Sequence, residues 1–173
     1  MNYFLSKEES NFYEDEGYLV RENQFSINEV NALRHALERA VNKAQERASG
    51  GKVYFLDKKK FVDVDYMTLQ YEPQPEDNIL KVIEPAHFLD KELYSLTQDM
   101  RITDPVRSIL EEDEISLWTD KLNLKRPGRG SGFGWHQDSP YWVHDSNNVD
   151  LLPNVYLSLD NADENNGCFR VIR

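Results

Sequence analysis

The chain has 173 residues, of which 39% are hydrophobic and 29% charged, proportions that favour one globular domain over a disordered chain. Its 31 acidic and 20 basic residues give a formal net charge of -11, which makes nucleic acids and anionic membranes poor partners. The single cysteine, Cys168, excludes an intrachain disulfide and a thiolate zinc site. Because we find no signal-peptide pattern and no apolar run long enough to span a bilayer, we expect a cytoplasmic protein. Nothing in the sequence specifies an oligomeric state.

Two helices are predicted near the amino terminus. Residues 12–16 favour a short helix that ends at Gly17, with a strand at 18–20. Ser26 and Glu29 form a capping-box pattern that starts a longer helix, which Ser49, Gly50 and Gly51 end. Helical spacing gives that helix one apolar stripe, formed by Val30, Leu33, Leu37, Val41 and Ala44.

The middle of the chain changes character twice. Aromatic and β-branched residues at 53–71 predict two strands, joined by a turn at the charged tip 57–60. A loop at 73–77 precedes two helices, at 91–99 and at 104–112, the second with Pro105 in its first turn. Strands are then predicted at 115–125, 133–137, 155–160 and 169–172. Helices first and strands later indicate an α+β domain with helices packed outside a sheet.

The segment Gly-Trp-His-Gln-Asp at 134–138 carries the clearest chemical signal. Residues two apart on a strand point to one face, so His136 and Asp138 can direct an imidazole nitrogen and a carboxylate oxygen at one point. With a second histidine, these ligands form the facial triad of non-haem iron(II) oxygenases. A His-x-Asp pattern also arises by chance, and the alternative is a histidine that binds a neighbouring acid.

Three stretches around this segment give it context. They are KLNLKRPG at 121–128, GWHQDSPYW at 134–142, and the pair VYLSLDNAD at 155–163 and NNGCFRVI at 165–172. Together they resemble the phytanoyl-CoA dioxygenase family of iron(II)- and 2-oxoglutarate-dependent oxygenases. The resemblance extends loosely to the amino-terminal region, and so to most of the chain.

This resemblance implies a double-stranded β-helix, the jelly-roll or cupin-like core, with flanking amino-terminal helices. One partial domain would fill 1–173, with 1–112 a mainly helical flank that includes a β-hairpin and 113–173 the first half of the core. The implied reaction uses Fe(II), 2-oxoglutarate and O₂ to hydroxylate an unactivated C–H bond of a small-molecule substrate, forming succinate. Because Asp138 is retained, hydroxylation is favoured over halogenation.

The resemblance also implies roles for single residues. His136 and Asp138 would bind iron, while Asn123 and Phe133 would contact 2-oxoglutarate, with Lys125 a further candidate. Three aromatic residues flank the metal position and either line a substrate pocket or simply pack against the sheet: Trp135, Tyr141 and Trp142.

One departure from the family pattern leaves alternatives open. The family's distal histidine and its arginine for 2-oxoglutarate would follow Arg173, so we expect a carboxy-terminally incomplete enzyme whose core strands are also incomplete. His35, His87 and His144 are interpreted as surface residues rather than as the third ligand. The competing hypotheses are an inactive jelly-roll binding module and a polypeptide that needs a partner to complete its sheet.

Overall fold

The computed structural model describes residues 2–73, 78–144 and 146–172. Its helices are α1 (Lys7–Glu16), α2 (Ile27–Ala48), α3 (Lys91–Leu96), α4 (Met100–Leu110) and α5 (Ser139–Trp142), with short 3₁₀ turns at His87–Leu89 and Val149–Leu151. Its strands are β1 (Lys52–Leu56), β2 (Lys59–Val64), β3 (Met67–Tyr71), β4 (Leu80–Glu84) and β5 (Leu122–Asn123). The chain is therefore α+β. Within the described ranges, no helix is long and apolar enough to cross a membrane.

Helix α2 is the longest element, and its ends follow from its sequence. The Ser26 side chain accepts a hydrogen bond from the Glu29 amide, and the Glu29 side chain accepts one from the Ser26 amide, which confirms the predicted capping box. The buried residues form one stripe: Leu33, Ala36, Ala40, Val41 and Ala44. The small alanines in this stripe allow the helix to lie close to its neighbours.

The five strands form one antiparallel sheet in the order β1-β2-β3-β4-β5. Asp57 and Lys58 have positive φ angles of 49° and 63°, as the tight turn between β1 and β2 requires. The predicted turn at 57–60 is confirmed, but the prediction of two strands missed a second hairpin at Asp65 and Tyr66 and also missed β4. Of the loop predicted at 73–77, only Pro73 is described.

The hydrophobic core lies between this sheet and α2. Leu69 on β3 is paired with Ile83 on β4, and both are fully buried. The 3₁₀ turn at His87–Leu89, α3 and Leu124 close the core at its sides, and two residues of the carboxy-terminal segment, Leu157 and Leu159, pack against it.

Several predicted elements differ from the structure. The predicted strand at 18–20 is irregular, and α4 begins at Met100 rather than 104, which places Pro105 inside the helix.

Of the strand predicted at 115–125, only Leu122–Asn123 is formed. The predicted strands at 133–137, 155–160 and 169–172 are absent, although the segments have the right composition. A strand needs a neighbour for its backbone N–H and C=O groups, and composition does not supply that neighbour. The jelly-roll arrangement stays a prediction.

Candidate metal centre

The segment that carries His136 and Asp138 leaves the sheet at β5. The amide of Leu124 still donates to the Lys81 carbonyl at 2.8 Å, so pairing with β4 extends one residue beyond the strand. A glycine-containing loop, residues 128–134, follows and turns at Gly128, whose φ is 71°. The loop leads into a bend and then into α5. His136 and Asp138 therefore lie on a bend and not on the predicted strand.

The bend brings the two side chains together. His136 Nδ1 lies 2.7 Å from the Gly134 carbonyl oxygen, and because a carbonyl can only accept, Nδ1 carries the proton in this hydrogen bond. The other ring nitrogen, Nε2, lies 3.2 Å from Asp138 Oδ1. The side chains are 43% and 35% exposed, so both are partly open to solvent.

The distance is that of a histidine–aspartate ion pair, the alternative that the sequence left open, and it also fits two ligands of one metal ion. A nitrogen and an oxygen that each lie about 2.1 Å from a metal and at right angles are about 3 Å apart. Metal-binding histidines commonly donate their second N–H to a backbone carbonyl, as His136 does to Gly134. Within the ranges that the structure describes, however, no three His, Cys, Asp or Glu side chains come close enough to hold a metal ion together.

The residues predicted to contact 2-oxoglutarate have their described contacts elsewhere. Asn123 is exposed on β5, where it pairs with Val82. The Lys125 amine donates a hydrogen bond to the carbonyl of Gly167. Phe133 lies three residues before His136, and its ring is contacted by the amine of Lys81. Their role toward 2-oxoglutarate stays a prediction.

Of the three flanking aromatic residues, Tyr141 has a recorded contact with the His136–Asp138 pair. The Tyr141 ring meets the His136 ring edge to face, with 6.0 Å between centroids. Trp135 and Tyr141 are 66% and 68% exposed, whereas Trp142 is half-buried. The rings of Trp135 and Tyr141 are therefore largely open to solvent and do not belong to the core.

The other histidines lie apart from this pair. His35 is exposed on α2, and His144 is exposed in the turn after α5. His87 is half-buried rather than fully exposed, and its Nδ1 lies 2.5 Å from Asp120 Oδ1. This contact joins the 3₁₀ turn at His87–Leu89 to the segment before β5.

Sequence reasoning missed a buried charged cluster under the loop. Glu72 and Lys81 are 1% and 2% exposed, and both contact Ser131. Burial lowers the pKa of the Lys81 ammonium, while the adjacent Glu72 carboxylate acts in the opposite direction. The sequence feature that could have indicated this cluster is the lysine inside the apolar run Leu-Lys-Val-Ile at 80–83.

Comparison with known proteins decides the family. The sequence profile described as phytanoyl-CoA dioxygenase (PhyH) matches residues 13–173. The chain belongs to the phytanoyl-CoA dioxygenase family. The matched range includes α2, the whole sheet, the loop and the His136–Asp138 pair.

Individual curated proteins share moderate identity with the chain. A probable alpha-ketoglutarate-dependent hypophosphite dioxygenase of Stutzerimonas stutzeri is 29% identical over 160 residues, which cover 92% of this chain and 50% of that protein. An ectoine dioxygenase of Bordetella bronchiseptica is 27% identical over 143 residues, covering 80% of this chain and 38% of that protein. The chain thus spans half or less of the length of these curated relatives.

Proposed function

We propose that this chain contributes to an iron(II)- and 2-oxoglutarate-dependent oxygenase site, with His136 and Asp138 as two of the iron ligands. The observation that carries the proposal is the 3.2 Å separation of His136 Nε2 and Asp138 Oδ1, with the opposite ring nitrogen bound to a carbonyl. Family membership and the names of the relatives support the same reaction class. When bound, iron(II) and 2-oxoglutarate would supply the oxidising chemistry for hydroxylation of a C–H bond.

The chain's own residues prepare the two ligands. The Gly134 carbonyl holds the proton on Nδ1 of His136, which leaves the Nε2 lone pair for the metal. Asp138 adds a negative charge that offsets part of the charge of a divalent ion. Asn123, Phe133 and Lys125 are proposed to contact 2-oxoglutarate.

The substrate is proposed to be a small molecule. Relatives are named for hypophosphite, ectoine and 2-aminoethylphosphonate, which are all small. The exposed rings of Trp135 and Tyr141 would form an apolar wall next to the metal, where excluding water protects the reaction from side products. The strong net negative charge disfavours a polyphosphorylated substrate.

The first test is an anaerobic titration of the purified chain with iron(II), with and without 2-oxoglutarate, which follows the visible charge-transfer band of the iron chelate. We expect the band in the parent chain and at least a ~100-fold loss of iron affinity in His136→Ala, because one of the two proposed ligands is removed. His35→Ala, which removes an exposed histidine on α2, is the matched control and should bind iron as the parent does.

Two results would contradict the proposal. One is a folded parent chain that gives no band, and the other is a His136→Ala variant with the affinity of the parent. The second candidate function, a binding module without redox chemistry, is favoured by the lack of a three-residue ligand group among the described residues. Formation of succinate that depends on iron and on His136 would exclude it.

A further inference from the structure

Two opposite charges are buried beneath the loop that leads to His136. Glu72 follows β3, and Lys81 lies on β4, with 3.6 Å between Lys81 Nζ and Glu72 Oε2. Both side chains are almost fully excluded from solvent. Removing two charges from water is costly, and an isolated buried pair is often no more stable than an apolar one. The pair therefore calls for a role beyond holding the sheet together.

The remaining polar atoms of this pair bind consecutive residues of the loop. Ser131 donates its amide to Glu72 Oε1 at 3.1 Å and its hydroxyl to Glu72 Oε2. Lys81 Nζ donates to the Ser131 hydroxyl oxygen and to the Gly132 carbonyl at 3.1 Å. The same amine lies 4.4 Å from the centre of the Phe133 ring. Three successive residues are thus fixed by two buried side chains.

The loop beyond these contacts needs such an anchor. At Gly132 and Gly134 an added Cβ would meet nothing within 4 Å, so close packing does not hold the backbone at either position. Glycine gives the backbone wide conformational freedom. Gly134 is also the residue whose carbonyl binds Nδ1 of His136. The direction of that carbonyl therefore depends on what fixes the chain just before it.

We propose that Glu72 and Lys81 are positioning residues, which anchor Ser131–Phe133 and thereby set the Gly134 carbonyl and the His136 ring for metal binding. As far as it concerns metal binding, this inference rests on the proposed function. The effect on the loop and on the His136 ring does not require a metal. It can therefore be measured in the iron-free chain.

The experiment compares Ser131→Ala and Glu72→Gln with the parent. Amide hydrogen exchange by NMR is measured at residues 131–136, together with the ¹⁵N signals of the histidine rings, all without iron. Loss of a buried hydrogen bond corresponds to an increase of about tenfold in local exchange. We expect this increase in both variants, and we expect the His136 ring signals to move toward those of the exposed His35. Ser131→Thr, which keeps the hydroxyl, should restore the parent behaviour.

Two control substitutions distinguish a local effect on the loop from a general loss of stability. Glu84→Gln changes a half-buried glutamate on the same strand as Lys81, where it pairs with Lys121, and Ser158→Ala removes a hydroxyl from the carboxy-terminal segment. Neither should change exchange at 131–136. If Glu72→Gln fails to fold because Lys81 loses its counter-charge, the Ser131→Ala and Ser131→Thr pair still decides the question.

The results that would overturn the positioning role differ from those that would overturn the proposed function. Unchanged exchange and unchanged His136 signals in Ser131→Ala would overturn the positioning role, and so would an equal effect of Ser158→Ala. A parent chain that binds iron should lose about tenfold in affinity in Ser131→Ala, the lower end of the effect of disturbing a residue that supports a metal ligand. If the parent binds no iron at all, the proposed function fails, while the exchange data still report on the anchor.

Discussion

At Gly51 the structure has no room for a side chain. A Cβ at this position would overlap the Val62 side chain and lie 2.9 Å from the carbonyl oxygen of Asp63. The reason is the sharp turn from α2 into β1, which brings the backbone of 51 against β2. Gly50, one residue earlier, is unconstrained, because its Cβ would come no closer than 3.7 Å to the Arg47 carbonyl.

These neighbouring glycines make a matched pair. We expect Gly51→Ala to lower the free energy of unfolding by about 1–3 kcal/mol, because the backbone or Val62 must move. Gly50→Ala should stay within about 0.5 kcal/mol of the parent, since it restricts the unfolded chain and meets no obstacle. Urea denaturation of both variants measures the difference. Equal free energies would mean that the turn relaxes without cost.

At the scale of single elements, the start of α2 is tied to α4 by one carboxylate. Glu29 accepts hydrogen bonds from the Ser26 amide at 2.8 Å and from Arg101 at 2.8 Å. The hydrogen bonds from Ser26, followed by that from Arg101, lower the pKa of Glu29 to about 2. The ionised form is thus favoured by folding.

This shift predicts how stability depends on pH. A carboxyl group whose pKa is lower in the folded than in the unfolded chain stabilises the fold above its unfolded pKa of about 4.5. The contribution is lost as the pH falls from about 4.5 to about 2, since both states then bind the proton. Glu29→Gln keeps the capping acceptor but does not titrate. We expect the parent's advantage over this variant, measured by denaturant unfolding, to disappear across that range.

A parent that keeps its full advantage at pH 2 would contradict this assignment, because the shift would then come from another group. The comparison between the parent and Glu29→Gln is essential because Glu9 and Asp99 also have lowered pKa values and contribute to acid unfolding. The contribution of Glu9, which pairs with Arg21, is the same in both proteins and cancels in the difference, whereas Asp99 shares Arg101 with Glu29 and is coupled to it.

Elements set by local contacts could be predicted from the sequence. The capping box at Ser26 and the left-handed Gly17 that ends α1 depend on residues within one or two turns. Strands were predicted at 133–137, 155–160 and 169–172 but are not formed, because composition does not show whether a distant partner strand is present. Strand β4 was missed because Lys81 interrupts its apolar pattern, and its burial depends on Glu72 and Ser131.

The residues of the candidate site also differ in whether the sequence indicates them. His136 and Asp138 are two residues apart and could be found as a pair in the sequence. Their anchor could not, because Ser131 and Glu72 are 59 positions apart and meet only after β3, β4 and the loop are folded. The part of the site that depends on tertiary structure is therefore the part that sequence patterns do not reveal.

At the scale of the whole molecule, α2 contacts several segments that are distant from it in sequence. Arg39 and Lys43 bind Asp90 and the Leu89 carbonyl, at 2.8 and 2.6 Å, and so hold the 3₁₀ turn and α3. On the same helix, Glu38 pairs with Arg126 at 2.7 Å. Arg126 lies just before the loop that leads to His136 and Asp138. The helix that packs on the sheet therefore also positions the segments on both sides of it.

The amino-terminal half of α2 also holds the carboxy-terminal segment. Arg34 donates to the Leu159 carbonyl at 2.7 Å and pairs with Asp160 at 3.1 Å. Leu157 and Leu159 add apolar contact with the core. Because the described residues of this segment form no ladder with the sheet, contacts of this kind limit how often it opens.

Arg34→Ala should therefore loosen the carboxy-terminal segment without unfolding the domain. We expect amide exchange at 157–160 to accelerate by about tenfold, while the thermal midpoint changes little because the Arg34–Asp160 pair is largely exposed. Arg47→Ala is the matched control, since Arg47 lies on the same helix and pairs with Asp65 in the β2–β3 turn. It should leave 157–160 unchanged. Equal exchange in the parent and in Arg34→Ala would show that Leu157 and Leu159 suffice to hold the segment, and α2 would then act on it through apolar packing alone.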